Sequence, residues 1–166
     1  MEVISLVGCS DGGKTTTLKK LILELCCNRG AIIQNVNGVE QCSTFITPKR
    51  LVPPETLQGY IAKHTDVTIV VEYNGKRVGI TTIGDGWALI KPQLDRIGCC
   101  DKIVLACHDS KLVYQNIQAY KNAQGCYVSS LQKVWHVKCV GKMEPKFQQC
   151  CDLSVQLSIN EIISLL

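Results

Sequence analysis

The segment Gly8-Cys9-Ser10-Asp11-Gly12-Gly13-Lys14-Thr15 constrains this chain more than any other. Its glycines free the backbone to curl, so that successive N–H groups can point at one spot and form a nest for an anion. An apolar run over residues 2–7 comes directly before it, the profile of a buried strand. From Thr15 to Cys27 the apolar residues Leu18, Leu21, Ile22 and Leu25 recur on one helical face, and Gly30 is the expected stop. A strand feeding a glycine-rich turn and then a helix sets a helix N-terminus, about half a positive charge, behind the nest. Such an arrangement suits phosphate.

The segment also matches G-x-x-x-x-G-K-[ST] without a gap. Here the chain resembles the P-loop NTPase superfamily through its Walker A motif. The resemblance covers residues 8–15 with their strand–helix setting and selects no narrower family. It implies that Gly8, Cys9, Ser10, Asp11, Gly12, Gly13, Lys14, Thr15 and Thr16 bind nucleotide phosphates. Lys14 would neutralise the β- and γ-phosphates, and the Thr15 hydroxyl would be a ligand of Mg²⁺. It further implies a metal-site Asp at the end of an apolar strand beside the first strand. Asp85, after Val78–Gly84, is favoured for that place and, with Lys14, for catalysis; Asp109, after Ile103–His108, is the second candidate. Asp11 would repel phosphate unless it turns away or orients a water. His108 is weighed between a contact to water or substrate and a polar strand end, while His136 reads as structural and His64 as surface.

Around this motif, strands alternate with helices over all 166 residues, so one α/β domain is expected. The expected architecture is the three-layer P-loop NTPase fold, a mostly parallel sheet with one antiparallel hairpin at about 67–83. The hairpin rests on Asn74-Gly75, whose residues accept the positive φ of a type I′ turn. Pro53-Pro54-Glu55 opens a short helix with Leu57, Tyr60 and Ile61 on one side. Further helices are expected to carry Ile90, Leu94 and Ile97, and then Val113, Ile117 and Tyr120, with a strand over 102–107 between them. Residues 131–140 read as a strand, 141–149 as a loop or lid, and 152–157 as a last short strand. Ser158-Ile159-Asn160-Glu161 reads as a capping box that opens a C-terminal helix. Residues 37–52 read as loop.

Charge and cysteine narrow the function classes. A net charge of +4 without a dense Lys/Arg block does not support a nucleic-acid partner. No apolar run reaches the ~18 residues of a membrane span, and residues 1–7 lack the basic start of a signal peptide. The eleven cysteines contain no C-x-x-C pair, which disfavours zinc. They are read as reduced thiols in the cytoplasm, mostly small core hydrophobes. Cys9 is singled out, because amides and a helix N-terminus around it would lower its thiol pKa.

The leading expectation is a slow Mg²⁺-dependent ATPase acting as a switch, with GTP as an alternative to ATP. A true GTPase is disfavoured: Asp85-Gly86-Trp87-Ala88 lacks the last glycine of D-x-x-G, and N-K-x-D is absent. A nucleotide or small-molecule kinase is the runner-up, with Arg50 and Arg77 as its candidate arginines. A non-hydrolysing nucleotide sensor acting through a partner is the non-enzymatic alternative. A protein partner or a homodimer stays open, with Trp87 and Trp135 as candidate contacts.

Overall fold

Alternation along the strands divides their side chains between two faces, and each face is covered by helices. The computed structural model describes residues 1–8, 13–36, 39–40, 54–84, 86–136 and 145–166. Cys9, Ser10, Asp11, Gly12 and Asp85 therefore lie outside the described residues, as do 37–38, 41–53 and 137–144. In chain order the elements are β1 (Glu2–Val7), α1 (Lys14–Leu23), β2 (Ile32–Val36), β3 (Val39–Glu40), α2 (Pro54–Lys63), β4 (Thr68–Tyr73) and β5 (Lys76–Thr81). There follow α3 (Trp87–Ile97), β6 (Lys102–Cys107), α4 (Lys111–Gln118), β7 (Ser130–Trp135) and α5 (Pro145–Leu165).

The strands form one seven-stranded sheet in the order β3-β2-β4-β5-β6-β1-β7. β5, β6, β1 and β7 run parallel to one another, while β4 is antiparallel to both β5 and β2, and β3 is antiparallel to β2. On one face Ile4 and Leu6 of β1 join Leu18, Leu21 and Ile22 of α1, Leu57 and Ile61 of α2, and Ile159 and Ile162 of α5. On the other, Val3 and Val7 meet Ile90, Leu94 and Ile97 of α3 and Val113 and Ile117 of α4. The result is an α/β fold of three layers with a mixed sheet.

Several expectations match. The β4–β5 hairpin turns at Asn74 (φ 52°) and Gly75 (φ 72°), both in the left-handed region that a type I′ turn needs. Helix α2 buries Leu57 and Ile61 with Tyr60 half-buried, α3 buries Ile90, Leu94 and Ile97, and α4 buries Val113 and Ile117, with Tyr120 buried just beyond its end. Pro92 is accommodated inside α3.

Others are corrected. The antiparallel flank is larger than one hairpin, because β2 and β3 extend it; Val39–Glu40 had read as loop. Residues 152–157 are helical, as are 145–149, all within α5. Leu153, Val155 and Leu157 alternate in sequence, which mimics a strand. At helical spacing, however, Ser158, Ile159, Ile162 and Leu166 form the buried stripe. Ser158 thus sits mid-helix and is not a cap. The first helix continues past α1 as a π-helical turn, Glu24–Asn28, that buries Leu25 and Cys26. β7 is described to Trp135, so the expected strand over 131–140 begins one residue earlier and its last residues fall outside the described set.

The cysteine reading is also corrected: Cys99 and Cys126 form a disulfide, with Cα atoms 5.9 Å apart. They are far apart in sequence, so spacing gives no hint of it; the α3–β6 and α4–β7 connections bring them together. Disulfides are rare in proteins kept reduced in the cytosol, so the all-thiol argument for that compartment loses its support. Cys26, Cys100 and Cys107 are buried thiols, and burial pushes Cys26 up to about 12 and Cys100 to about 11. Among the described residues no helix is long and apolar enough to cross a membrane.

Candidate phosphate site

The motif occupies the junction its mechanism requires, between the C-terminal end of β1 and the start of α1. Gly13 ends the turn at φ 83°, a backbone conformation that a Cβ would strain, and its carbonyl accepts the Thr17 N–H (2.9 Å) and hydroxyl (3.0 Å). Helix α1 is thereby anchored at its first turn. Lys14 is buried at 6% exposure, and its Nζ donates to the Gly8 carbonyl at 3.1 Å. The ammonium group reaches back across the motif, where a phosphate chain would compete for its protons.

Opposite α1 stands the end of β5. Thr15 Oγ1 donates over a long 3.5 Å to the carbonyl of Thr82. Thr82 Oγ1 accepts the Val67 N–H at 2.9 Å and donates to Asp66 Oδ1 at 3.1 Å. Gly84 lies flat against the backbone of Ala106 in β6, where any Cβ would collide with the Ala106 carbonyl. This contact seals the floor beneath the junction. What remains open is a cleft of about 420 Å³, within the usual size range of ligand sites. Gly13, Lys14, Thr15 and Thr16 line one wall, Thr82, Ile83 and Gly84 the other, with Asp66 and Leu89 at the rim.

Asp66 is the residue that sequence reading missed. It precedes β4 in an exposed turn, and no motif marks it. Only the pairing of β4 with β5 brings it across from Thr15. The hydroxyl of Thr15, the carbonyl of Thr82 and the Asp66 carboxylate are hard oxygen donors, the kind that suit Mg²⁺ when phosphates complete its shell.

The other candidates are dispersed. The strands beside β1 are β6 and β7, so β5, the strand expected to lead to the metal-site Asp, stands one strand farther out than a neighbour of β1. Asp85 itself lies outside the described residues, while Ile83 and Gly84 just before it line the cleft. Asp109 follows the strand that does adjoin β1, yet it approaches Tyr114 of α4 and is not among the cleft's lining residues. Burial, then Cys107, then Asp109 push the Tyr114 phenol up. Arg77, the second residue of β5, stands at the opposite end of the sheet and donates to the Cys99 carbonyl. Arg50 lies outside the described residues. His64 is exposed, as expected, while His136 is buried beside the motif. Trp135 is exposed and Trp87 half-buried.

Comparison with protein-family models, curated proteins and solved structures finds no match to this chain.

Proposed function

We propose that the chain is a nucleoside-triphosphate-binding P-loop protein, a slow Mg²⁺-dependent ATPase that acts as a switch. The observation that carries this reading is the cleft at the β1–α1 junction, walled by Gly13–Thr16 and faced by Thr82 and Asp66. In this reading the phosphate chain lies along the motif, Lys14 leaves the Gly8 carbonyl for the β- and γ-phosphates, and the α1 N-terminus adds its dipole. Thr15 would hold Mg²⁺, with Asp66 and Asp85 as the neighbouring carboxylates. The ion supplies charge neutralisation on the phosphates when bound. Thr82 fixes the Asp66 carboxylate through its hydroxyl while its carbonyl meets Thr15, so one residue orients both sides of the cleft.

The described cleft lining contains no arginine, and Arg77 is remote. Kinases surround a transferred phosphoryl group with cationic side chains. Of the two candidate arginines, Arg77 stands at the far end of the sheet and Arg50 lies outside the described residues, so transfer is kept as the second reading. A cytoplasmic location belongs to the same reading and would leave the Cys99–Cys126 bond open to reduction in the cell.

The deciding experiment is a thermal-shift series with Mg²⁺ and ATP, GTP, CTP or dNTPs, paired with phosphate release. At about 100 times Kd, binding adds ~2.7 kcal/mol, or roughly 5–10 °C in Tm. A nucleotide-dependent shift that Lys14→Ala abolishes is the expected result. No shift at millimolar nucleotide overturns the reading, and binding without phosphate release moves it to the sensor class.

A further inference from the structure

One buried residue lies beside both described ends of the motif and is bonded to a helix from the far end of the chain. His136 directly follows β7, and its N–H donates to the Val7 carbonyl at 2.8 Å, continuing the β1–β7 ladder by one bond. Its own carbonyl and Cβ press on Gly8: a Cβ built there would lie 3.0 Å from the His136 carbonyl oxygen and 3.7 Å from its Cβ. The imidazole Nε2 lies 3.4 Å from where a Cβ on Gly13 would stand. On its other side, Nδ1 makes a 3.1 Å hydrogen bond with Ser158 Oγ of α5, and both residues are buried.

We propose that His136 is the positioning residue of the phosphate site, setting the spacing of Gly8 and Gly13 and tying both to α5 through Ser158. The proposal rests on the nucleotide-binding reading above. Three physical points support it. A ladder bond from β1 fixes the His136 backbone, so its ring has a defined origin. The Ser158 hydrogen bond fixes the ring plane from the opposite side, as a buried polar pair must. The ring and backbone then occupy the space beside Gly8 and Gly13, so glycine serves at position 8 for close approach and at position 13 for its left-handed φ. Lys14 converges on the same point, its Nζ bonded to the Gly8 carbonyl. Movement of Gly8 or Gly13 on binding is therefore felt by His136, and through Ser158 by α5. Preorganisation of this kind raises affinity without a direct ligand contact.

The test uses the full chain and Mg-ATP as the probe. With ¹⁵N-histidine labelling, the His136 ring nitrogens, assigned by their loss in His136→Asn, are expected to shift as ATP saturates the protein. His136→Leu fills the space without the polar link and is expected to weaken ATP roughly tenfold, one buried hydrogen bond's worth. His136→Asn keeps an amide near Nδ1 and is expected to recover most of that loss, and Ser158→Ala to reproduce part of it. Amide exchange in α5 should slow with ATP in the wild type and not in Ser158→Ala. If the wild type binds ATP but the ring signals stay fixed and Leu binds as well as Asn, the proposal is overturned while the nucleotide reading stands. If the wild type binds no nucleotide, both fall. Should the Leu variant fail to fold, the wild-type ring shifts and Ser158→Ala decide alone.

Discussion

The two ends of the sheet are built on opposite plans. At the C-terminal ends of the parallel strands, the backbone is glycine-rich, the lysine is held by a carbonyl, and a polar cleft stays open. At the other end, cross-links tie the chain together around a second cleft of about 550 Å³, lined by Gln34, Asn35, Glu72, Gly75, Arg77 and Asp101. Cys99 joins Cys126 there, Asp101 accepts the Arg77 N–H at 2.8 Å, and Lys102 pairs with Glu2 at 3.1 Å. Asn122 caps the 122–126 turn by accepting the N–H groups of Gln124 and Cys126. The contrast teaches that the covalent and ionic cross-links lie away from the candidate site, which is held by hydrogen bonds alone among the described residues. Changes at one end should therefore move stability and changes at the other should move affinity.

The largest effect that would test this separation comes from Cys99→Ser. The bond spans 27 residues, for which chain entropy gives about 3–4 kcal/mol. Calorimetry should show a Tm roughly 7–14 °C lower, with the Kd for Mg-ATP unchanged. A matched loss of affinity would show the two ends to be coupled and break the comparison. Lys14→Ala is the converse. By titration calorimetry it should weaken ATP roughly 100-fold, through loss of charge-assisted hydrogen bonds, while the unliganded Tm moves little. Asp66→Asn sharpens the cleft side alone. It should raise the Mg²⁺ concentration for half-maximal ATP binding roughly tenfold, the scale of outer-shell metal partners, and leave Mg²⁺-free binding nearly intact.

The smallest effect lies back at the cross-linked end, where Asp95 accepts hydrogen bonds from Lys91 and Tyr120, each at 2.8 Å. The Lys91 bond, first, and the Tyr120 bond hold this carboxyl below its ordinary range. A depressed carboxyl stabilises the fold above its unfolded pKa of ~3.9 and loses that contribution as pH falls through the folded value. Asp95→Asn should therefore flatten the acid limb of stability below about pH 4. Because the side chain is well exposed, the change at pH 7 should be under about 1 kcal/mol. A denaturant series across pH reads both.

Legibility in the sequence followed how local each feature is. The β4–β5 turn was readable because Asn74-Gly75 carries its φ angles in its own residues. The faces of α2, α3 and α4 were readable because burial repeats every three or four positions. Helix α5 was misread because Leu153, Val155 and Leu157 alternate, and only packing of Ile159 and Ile162 on α1 decides for helix. Of the candidate site, Gly13–Thr16 could be named from spacing alone. Asp66 and His136 could not, since strand pairings with β5 and β1 carry them there. The disulfide was hidden for the same reason: nothing near Cys99 in the chain points to Cys126.

The position of β1 has a consequence for how the protein comes into being. Its partners are β6 and β7, with Glu2 paired to Lys102 and to Ser130. During synthesis the strand that carries the motif leaves the ribosome long before either neighbour exists. The β4–β5 hairpin and α3 can form from local contacts, yet β1 must wait through about a hundred residues for its first partner, the slow kind of contact in folding. An apolar strand held waiting that long is exposed to other chains. Under the proposed nucleotide reading, nucleotide present during synthesis should favour the folded product only late, once β7 has joined β1.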